Sequence, residues 1–537
     1  MKQQEWTKIR KKYIFWLSTT KLKKIFSENF VIDNYSTWWS TKLVDKDIIL
    51  DQSWFRNFKD LFFYNKIIIK KNIIYLLFFK LFIKFLLQFF KIFILKFFFK
   101  KTKFYKSNYT NCYLSDDINI IKYQNNNIDR QYGIAPMNTI KNNCYLIKLE
   151  KINLNYLLSI IKNNKFRSLK ADYYILETYI GIFDAVRIYY LLIIFYIKLN
   201  KIMKKDNSFF KIDNKDFSTV LKPLLLDSFF GYLQENMLRG IALRKFLDLI
   251  KVNNLITYGE FFPGQRSLYH YSRISINRPL VISIQHAVYS KNNLFYNITK
   301  KEFSKKNESL LYSPSPDVFF TQGLKYFNFL KKIFPHNSNI FPIGSFKVDL
   351  INYKKKILKK KNYILKIKKN YKYLILICPA MGDEDNIINF FNKLILCDFF
   401  FLIVPHPYFI KQTTNKFNIN FKNKYLIIQN VLSRDIFDYV DYVVCGYSSI
   451  TYEAILEKKK VFRVSDNSYI NIFDNPDFDI LTLNNPKGFI NAISKIRTPS
   501  YKAIKKIENE IFFNADGRTH LRFLKQLRKI NKNIYLN

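Results

Sequence analysis

Two short stretches in the second half of this chain bring together residue types that handle phosphate and move protons. In Pro405-His406-Pro407 one imidazole is bracketed by two prolines, which fix φ and restrict the residue ahead of each ring. An imidazole held in so rigid a loop can donate a hydrogen bond to a phosphate oxygen or act as general acid. Gly446-Tyr447-Ser448-Ser449, just ahead of ITYEAIL, offers a tight turn and two hydroxyls at a helix start. Free amides there favour anions, and either serine can cap the helix. Glu453, four residues after Ser449, shares that helix face and is placed to hold a ribose diol. The plainer alternatives are a turn in which His406 caps a strand, and an ordinary capped helix with a surface glutamate.

The first half holds a second set. Glu260 follows Thr257-Tyr258-Gly259 at the end of a strand-like run, a place suited to a general base for an acceptor hydroxyl. Arg266 and His270 follow within ten residues, and Gln285-His286 ends the apolar run LVISI. These four are candidates for holding a substrate, and each can equally be structural. Gly382-Asp383-Glu384-Asp385 invites a metal reading, but its spacing matches no EF-hand and acids at a helix start suit the macrodipole. GxGxxG, P-loop, GxSxG and HExxH patterns are all missing, which argues against dinucleotide oxidoreductases, P-loop ATPases, common serine hydrolases and zincins.

Positioning these residues requires strands that end beside them. LVISI (280–284), DVFFT (317–321) and residues 340–343 read as short buried strands, and YLILIC (373–378), 399–404, 425–429, 442–445, 461–464 and 480–483 read likewise. Helical patterns intervene at 233–250, 385–394, 434–440 and 449–456. Short apolar strands alternating with helices imply parallel sheets covered on both faces, with ligands at the carboxyl ends of the strands. The expected fold is α/β, with two Rossmann-like lobes and a basic, partly helical N-terminal extension. The expected boundaries are an N-terminal region 1–150, a first Rossmann-like lobe 151–353, a charged linker 354–370, a second Rossmann-like lobe 371–500 and a helical tail 501–537. Residues 111–150 read as loop-rich.

IVPHPY and DYVVCGYSSITYEAILEKKKVFRV together resemble the nucleotide-sugar lobe of GT-B glycosyltransferases that build bacterial surface carbohydrates, namely capsule Kdo transferases, bacterial sialyltransferases and CDP-glycerol glycerophosphotransferases. VISIQHAVYS is similar to the QHG stretch of capsule-export transferases, with Ala287 in place of the glycine. VFFTQG and NIFPIGSFKVD resemble the segment closing the first lobe, and TYGEFFPGQRSLYH resembles a segment of surface carbohydrate biosynthesis proteins. The likeness spans about 230–490. It implies a CMP- or CDP-linked nucleotide-sugar donor on the second lobe, with His406, Tyr447, Ser448, Ser449 and Glu453 around it. It also implies an acceptor glycan on the first lobe with Glu260 as base, and neither a tightly bound cofactor nor a metal. Alternatives are alditol phosphate transfer from a CDP carrier, and a non-catalytic membrane or nucleic-acid scaffold. The EX7E pattern of many retaining enzymes of this fold is missing, since Glu453 and Glu457 are four apart.

The chain has 537 residues, 49% of them hydrophobic, so wholesale disorder is excluded. Its 5 cysteines form no CxxC pair and no zinc spacing, and the cytoplasm is the default compartment. The formal net charge of +47 favours polyanions or anionic lipid. Residues 67–101 (IIIKKNIIYLLFFKLFIKFLLQFFKIFILKFFFKK) place Lys80, Lys84, Gln88 and Lys91 on one narrow stripe of a helix that is otherwise apolar, as in a helix lying in a membrane interface. The uncharged run Ile188–Ile197 is too short to span a bilayer, and no signal peptide is evident. The expectation is a peripheral protein on the inner face of the plasma membrane, with no nucleic-acid partner.

Overall fold

The structure is a computed structural model that describes residues 3–45, 108–123, 126–133, 142–149, 171–206, 208–259, 261–289, 298–303, 310–334, 339–349, 361–379, 383–394, 396–406, 409–429, 433–445, 449–464, 480–483 and 485–536, with isolated positions between them. Among these residues thirteen strands form two parallel sheets. The first sheet comprises β1 (Asn108–Asp116), β2 (Asn143–Lys148), β3 (Asp172–Ile175), β4 (Lys251–Tyr258), β5 (Leu280–Ile284), β6 (Val318–Thr321) and β7 (Ile340–Pro342). The second comprises β8 (Tyr373–Cys378), β9 (Phe399–Ile403), β10 (Tyr425–Ile427), β11 (Tyr442–Cys445), β12 (Lys460–Val464) and β13 (Leu481–Leu483). Their spatial orders are β7-β6-β5-β4-β1-β2-β3 and β10-β9-β8-β11-β12-β13, with parallel pairing throughout. Counted from the first strand of each sheet, the orders run 3-2-1-4-5-6-7 and 3-2-1-4-5-6, the doubly wound Rossmann arrangement with a seventh strand added in the first, so the expected pair of Rossmann-like lobes is present.

Alternation along the strands builds a core on each face. Leu374, Leu376 and Cys378 point into one apolar cluster, while Ile375 and Ile377 point into the other. In the first sheet Cys112 and Leu114 face one cluster and Tyr113 the opposite one. A strand with both faces buried needs apolar residues at every position, which is why these runs were visible in the sequence.

The first sheet begins before residue 151, and the described residues within 111–150, read as loop-rich, are largely strand. β1 and β2 lie in the middle of the sheet, between β4 and β3. They read as polar because Asn111, Asn143 and Asn254 stand in register and bond side chain to side chain. Asn254 Nδ2 donates to Asn111 Oδ1 at 3.0 Å, and Asn111 Nδ2 donates to Asn143 Oδ1 at 2.9 Å. A satisfied amide ladder removes the desolvation cost of polar residues in a buried strand.

The N-terminal extension also belongs to this lobe. Helices Gln3–Thr19 and Lys21–Asn29 send Tyr13, Trp16, Leu22 and Phe26 into the same core cluster as Leu238 and Phe246. The segment 67–101 lies largely outside the described residues. Helical residues within it leave Phe82, Leu87, Phe90 and Phe93 exposed and bury Ile92.

Two crossings join the lobes. Of the expected linker 354–370, residues 361–370 form a helix (Lys361–Asn370) whose Ile364 and Ile367 are buried in the second lobe. The C-terminal segment is no free tail, because helix Thr519–Leu536 returns to the first sheet. There Phe523 meets Phe320 at 5.3 Å, Arg522 Nε donates to the Ile343 carbonyl at 2.6 Å, and Thr519 Oγ1 donates to Asp349 Oδ1 at 2.7 Å. Gly344 has φ +104, and a Cβ there would sit 2.6 Å from Thr519 Oγ1. Only glycine allows the strap so close.

Candidate active site

The lobes face each other across a cleft with a cavity volume of about 150 Å³. On the second lobe it lies at the carboxyl ends of β8, β9 and β11, beside the point where strand order reverses between β8 and β11. β8 delivers Cys378 and Pro379, β9 delivers Pro405 and His406, and the connection after β11 delivers Ser449 and Glu453. The 3₁₀ helix Ser433–Tyr439, which follows β10, adds Ser433 and Arg434. From the first lobe come Arg130 and Lys347.

Three cations therefore converge on one small cavity from opposite walls. The Lys347 ammonium donates to the His286 carbonyl at 2.7 Å, and Arg434 reaches the Lys347 carbonyl at 3.4 Å. Arg130 is carried on a turn after the hairpin Ile120–Tyr123/Asn126–Asp129. A buried network holds that turn. Asp129 accepts the Ser115 hydroxyl and, at 2.6 Å, the Gln131 amide; Arg130 N bonds the Asn119 carbonyl at 2.9 Å; and Asn119 Nδ2 donates to the Tyr258 hydroxyl at 2.6 Å. Burial pushes the Asp129 carboxyl up to about 6. The Arg130 side chain itself is weakly held, with a bond of 3.4 Å to Asn119 Oδ1 and a buried Nε that meets no partner among the described residues.

Burial drives the His406 pKa down to about 4, aided by the charges of Arg130 and Lys347. The imidazole is neutral at pH 7 and carries one N–H. Burial raises the Glu453 carboxyl above its usual range, against the opposing pull of Arg434, Lys347 and Arg130. Ser449 occupies the N-cap position of helix Ile450–Leu456, but its hydroxyl makes no capping bond; it lines the cleft instead. Burial pushes the Cys378 thiol well up, so it is no nucleophile. A cavity walled by three cations, a neutral imidazole, hydroxyls and the Glu453 carboxyl has groups able to pair with a phosphate.

His406, Ser449 and Glu453 are thus brought together as their strand-end positions implied. Glu260, Tyr447 and Ser448 lie outside the described residues. Arg266 and His270, expected at the substrate, do not line the cleft. Arg266 is 1% exposed, paired with Glu302 at 3.2 Å, bonded to Ser313 Oγ at 2.6 Å and to the Phe261 carbonyl at 2.8 Å, and stacked over Trp39. His270 bonds the Asp33 carbonyl at 2.8 Å, packs against Tyr35, and has its pKa lowered by burial to about 4. Both positions lie on helix Pro263–Arg273, one anchoring Glu302 and Ser313 and the other the turn at 33–34. Gln285 is a tie between strand ends. Its Oε1 accepts the Gln322 amide at 2.7 Å, and its Nε2 donates to the Ala287 carbonyl at 2.7 Å. His286 sits beside the cleft and contributes its carbonyl to Lys347.

Glu384 and Asp385 hold helix Ile410–Asn420, through Thr413 at 2.8 Å and Lys416 at 2.8 Å respectively. Among the described residues no group of three His, Cys, Asp or Glu is placed to hold a metal. The residues missed in the sequence are Arg130, Lys347, Ser433 and Arg434. Arg434 opens a helical pattern shortly after the predicted strand 425–429, but Arg130 stands in a stretch read as loop-rich, so nothing local marked it.

The chain matches no protein-family model and no curated protein. Among solved structures it is similar to an S. aureus MnaA–UDP co-structure (TM-score 0.42, 10% identity, 80% of this chain and 97% of that one). It is also similar to the wall teichoic acid polymerase TagF (0.39, 12%, 80% and 90%), and to Anabaena Alr3699/HepE in complex with UDP and glucose (0.40, 9%, 78% and 100%).

Proposed function

We propose that this protein is a glycosyltransferase that takes a sugar from a nucleotide-sugar donor, cytidine-linked by the resemblance of its motifs, and transfers it to a surface polysaccharide or lipid-linked glycan. The observation that carries this reading is the convergence of Arg130, Lys347 and Arg434 with His406 and Ser449 at the strand-order reversal of the second lobe.

In this scheme the donor phosphate sits among the three cations, which neutralise the charge growing on the leaving nucleotide as the glycosidic bond breaks. The neutral His406 imidazole donates its N–H to a phosphate oxygen, and the Ser449 hydroxyl donates to another. Glu453, one helical turn inside, accepts from the ribose hydroxyls. Glu260 follows β4 and takes the proton of the acceptor hydroxyl. The cationic role belongs to side chains, so the scheme needs no bound metal.

A thermal-shift screen with CMP, CDP, UDP and GDP tests the donor class, since a ligand bound only by the folded state raises Tm. His406→Ala is expected to stay folded and lose turnover; product formation at the wild-type rate overturns the assignment. Alditol phosphate transfer from a CDP carrier uses the same cavity. Separate incubations with radiolabelled CDP-glycerol and CMP-sugars distinguish the two by which label reaches polymer.

A further inference from the structure

Helix Ile182–Lys205 is apolar on two sides. Its inner side is core, with Ala185, Ile188, Leu192 and Leu199 fully buried. The outer side of a surface helix is ordinarily polar. Here it carries Phe183, 88% exposed, and Tyr190, 63% exposed, together with exposed Val186, Ile194 and Ile197. At 100° per residue these five side chains fall within an arc of about 80° and extend for roughly 21 Å along the axis. Farther along the helix, exposed Lys201 and Lys204 continue that arc, and exposed Lys198 lies about 40° outside it, on the side of exposed Arg187, which pairs with Asp33. The helix has one carboxylate, Asp184, which is engaged by Lys245 at 2.5 Å and by the Gly181 amide at 2.6 Å.

We propose that this outer face is a membrane-docking surface, with the apolar arc seated at the acyl boundary of an anionic bilayer and the three lysines on lipid phosphates. This goes beyond the transferase reading and does not depend on it. It also assigns the contact to a helix other than the 67–101 segment. Three observations favour a bilayer over another occupant. The face is rich in aromatic and aliphatic residues and continues into three exposed lysines, the pattern of an interfacial helix. A second copy of a chain with formal net charge +47 would set the same lysines against one another. The inner side is anchored in the lobe, and no helix of the described residues is long and apolar enough to cross a membrane, so the helix lies on the surface. Ile92, from the helical residues that expose Phe90 and Phe93, is buried in the same core cluster as this helix. A second apolar face is thus attached to the same body.

The test uses the full chain and vesicles of phosphatidylcholine with and without phosphatidylglycerol. A nitroxide is placed at Ile194→Cys in a Cys397→Ser background, since Cys397 is the exposed cysteine. On anionic vesicles the label should show the high oxygen and low nickel-chelate accessibility of the acyl region. Lys198→Gln/Lys201→Gln/Lys204→Gln should weaken binding to anionic vesicles by about fivefold per lysine, with little change on neutral ones. Phe183→Ser/Tyr190→Ser should weaken binding at least about tenfold while Tm is unchanged. The proposal is overturned if the label stays water-accessible on bound vesicles. It is equally overturned if sedimentation shows a dimer that Phe183→Ser/Tyr190→Ser dissolves, or if that variant lowers Tm and leaves vesicle binding intact, which would mean the chain covers this face itself.

Discussion

Arg130→Gln separates the role assigned to the cleft from simple fold maintenance. In the free protein this guanidinium contributes little, because its Nε is buried without a partner among the described residues and its one bond to Asn119 is 3.4 Å long. Replacing it removes a buried unsatisfied donor and leaves the backbone anchor to the Asn119 carbonyl intact. Stability should therefore change by less than about 1 kcal/mol. A nucleotide phosphate in the cleft turns the same group into a charge-assisted donor worth about 1.5–3 kcal/mol, so the variant should bind CDP or UDP about tenfold to a hundredfold more weakly. Arg266→Gln is the counterpart. It breaks a fully buried ion pair with Glu302 and two further bonds, at a cost of about 3–5 kcal/mol. Calorimetric titration and thermal unfolding of both variants read the two quantities separately. If Arg130→Gln binds the stabilising nucleotide within twofold of wild type, the cationic wall is not a phosphate site and the transferase scheme fails with it.

Other outcomes follow from the buried titratable groups. Nucleotide binding should raise the His406 pKa from about 4, because a phosphate favours the imidazolium and offsets Arg130 and Lys347; ¹⁵N NMR with and without ligand reads this, and an unmoved resonance places the phosphate elsewhere. His270, also held near 4, is neutral when folded but protonates when unfolded below pH 6.5, so stability falls between pH 6.5 and 4. His270→Gln should flatten that slope in a pH series of chemical denaturation. Asp129 has the opposite linkage. Its folded pKa of about 6 lies above the unfolded value, so stability is lost as pH rises from about 4 to 6. Asp129→Asn should recover up to about 3 kcal/mol at pH 7, with an unchanged unfolding midpoint as the contrary result.

The strands of the second lobe were legible because their pattern has one cause. β8 and β11 are buried on both faces, so every residue from Tyr373 to Cys378 and from Tyr442 to Cys445 is apolar, and their ends point to His406 and Ser449. β1 and β2 were hidden by asparagines that pair only across strands: Asn111 reads as a turn residue until Asn143 and Asn254 stand beside it. Arg266 and Arg130 show the same limit. Each is an arginine near a strand end, and nothing local distinguishes the one locked to Glu302 from the one facing the cleft.

Composition, periodicity and strand-end motifs thus determined the α/β class, the doubly wound second lobe and the place of His406, Ser449 and Glu453, because apolar burial and turn chemistry act over a few residues. Tertiary structure decided which cations meet. Arg130, Lys347 and Arg434 come from segments separated by dozens to hundreds of residues and two different sheets. Only the packing of one lobe against the other brings their charges to the same cavity.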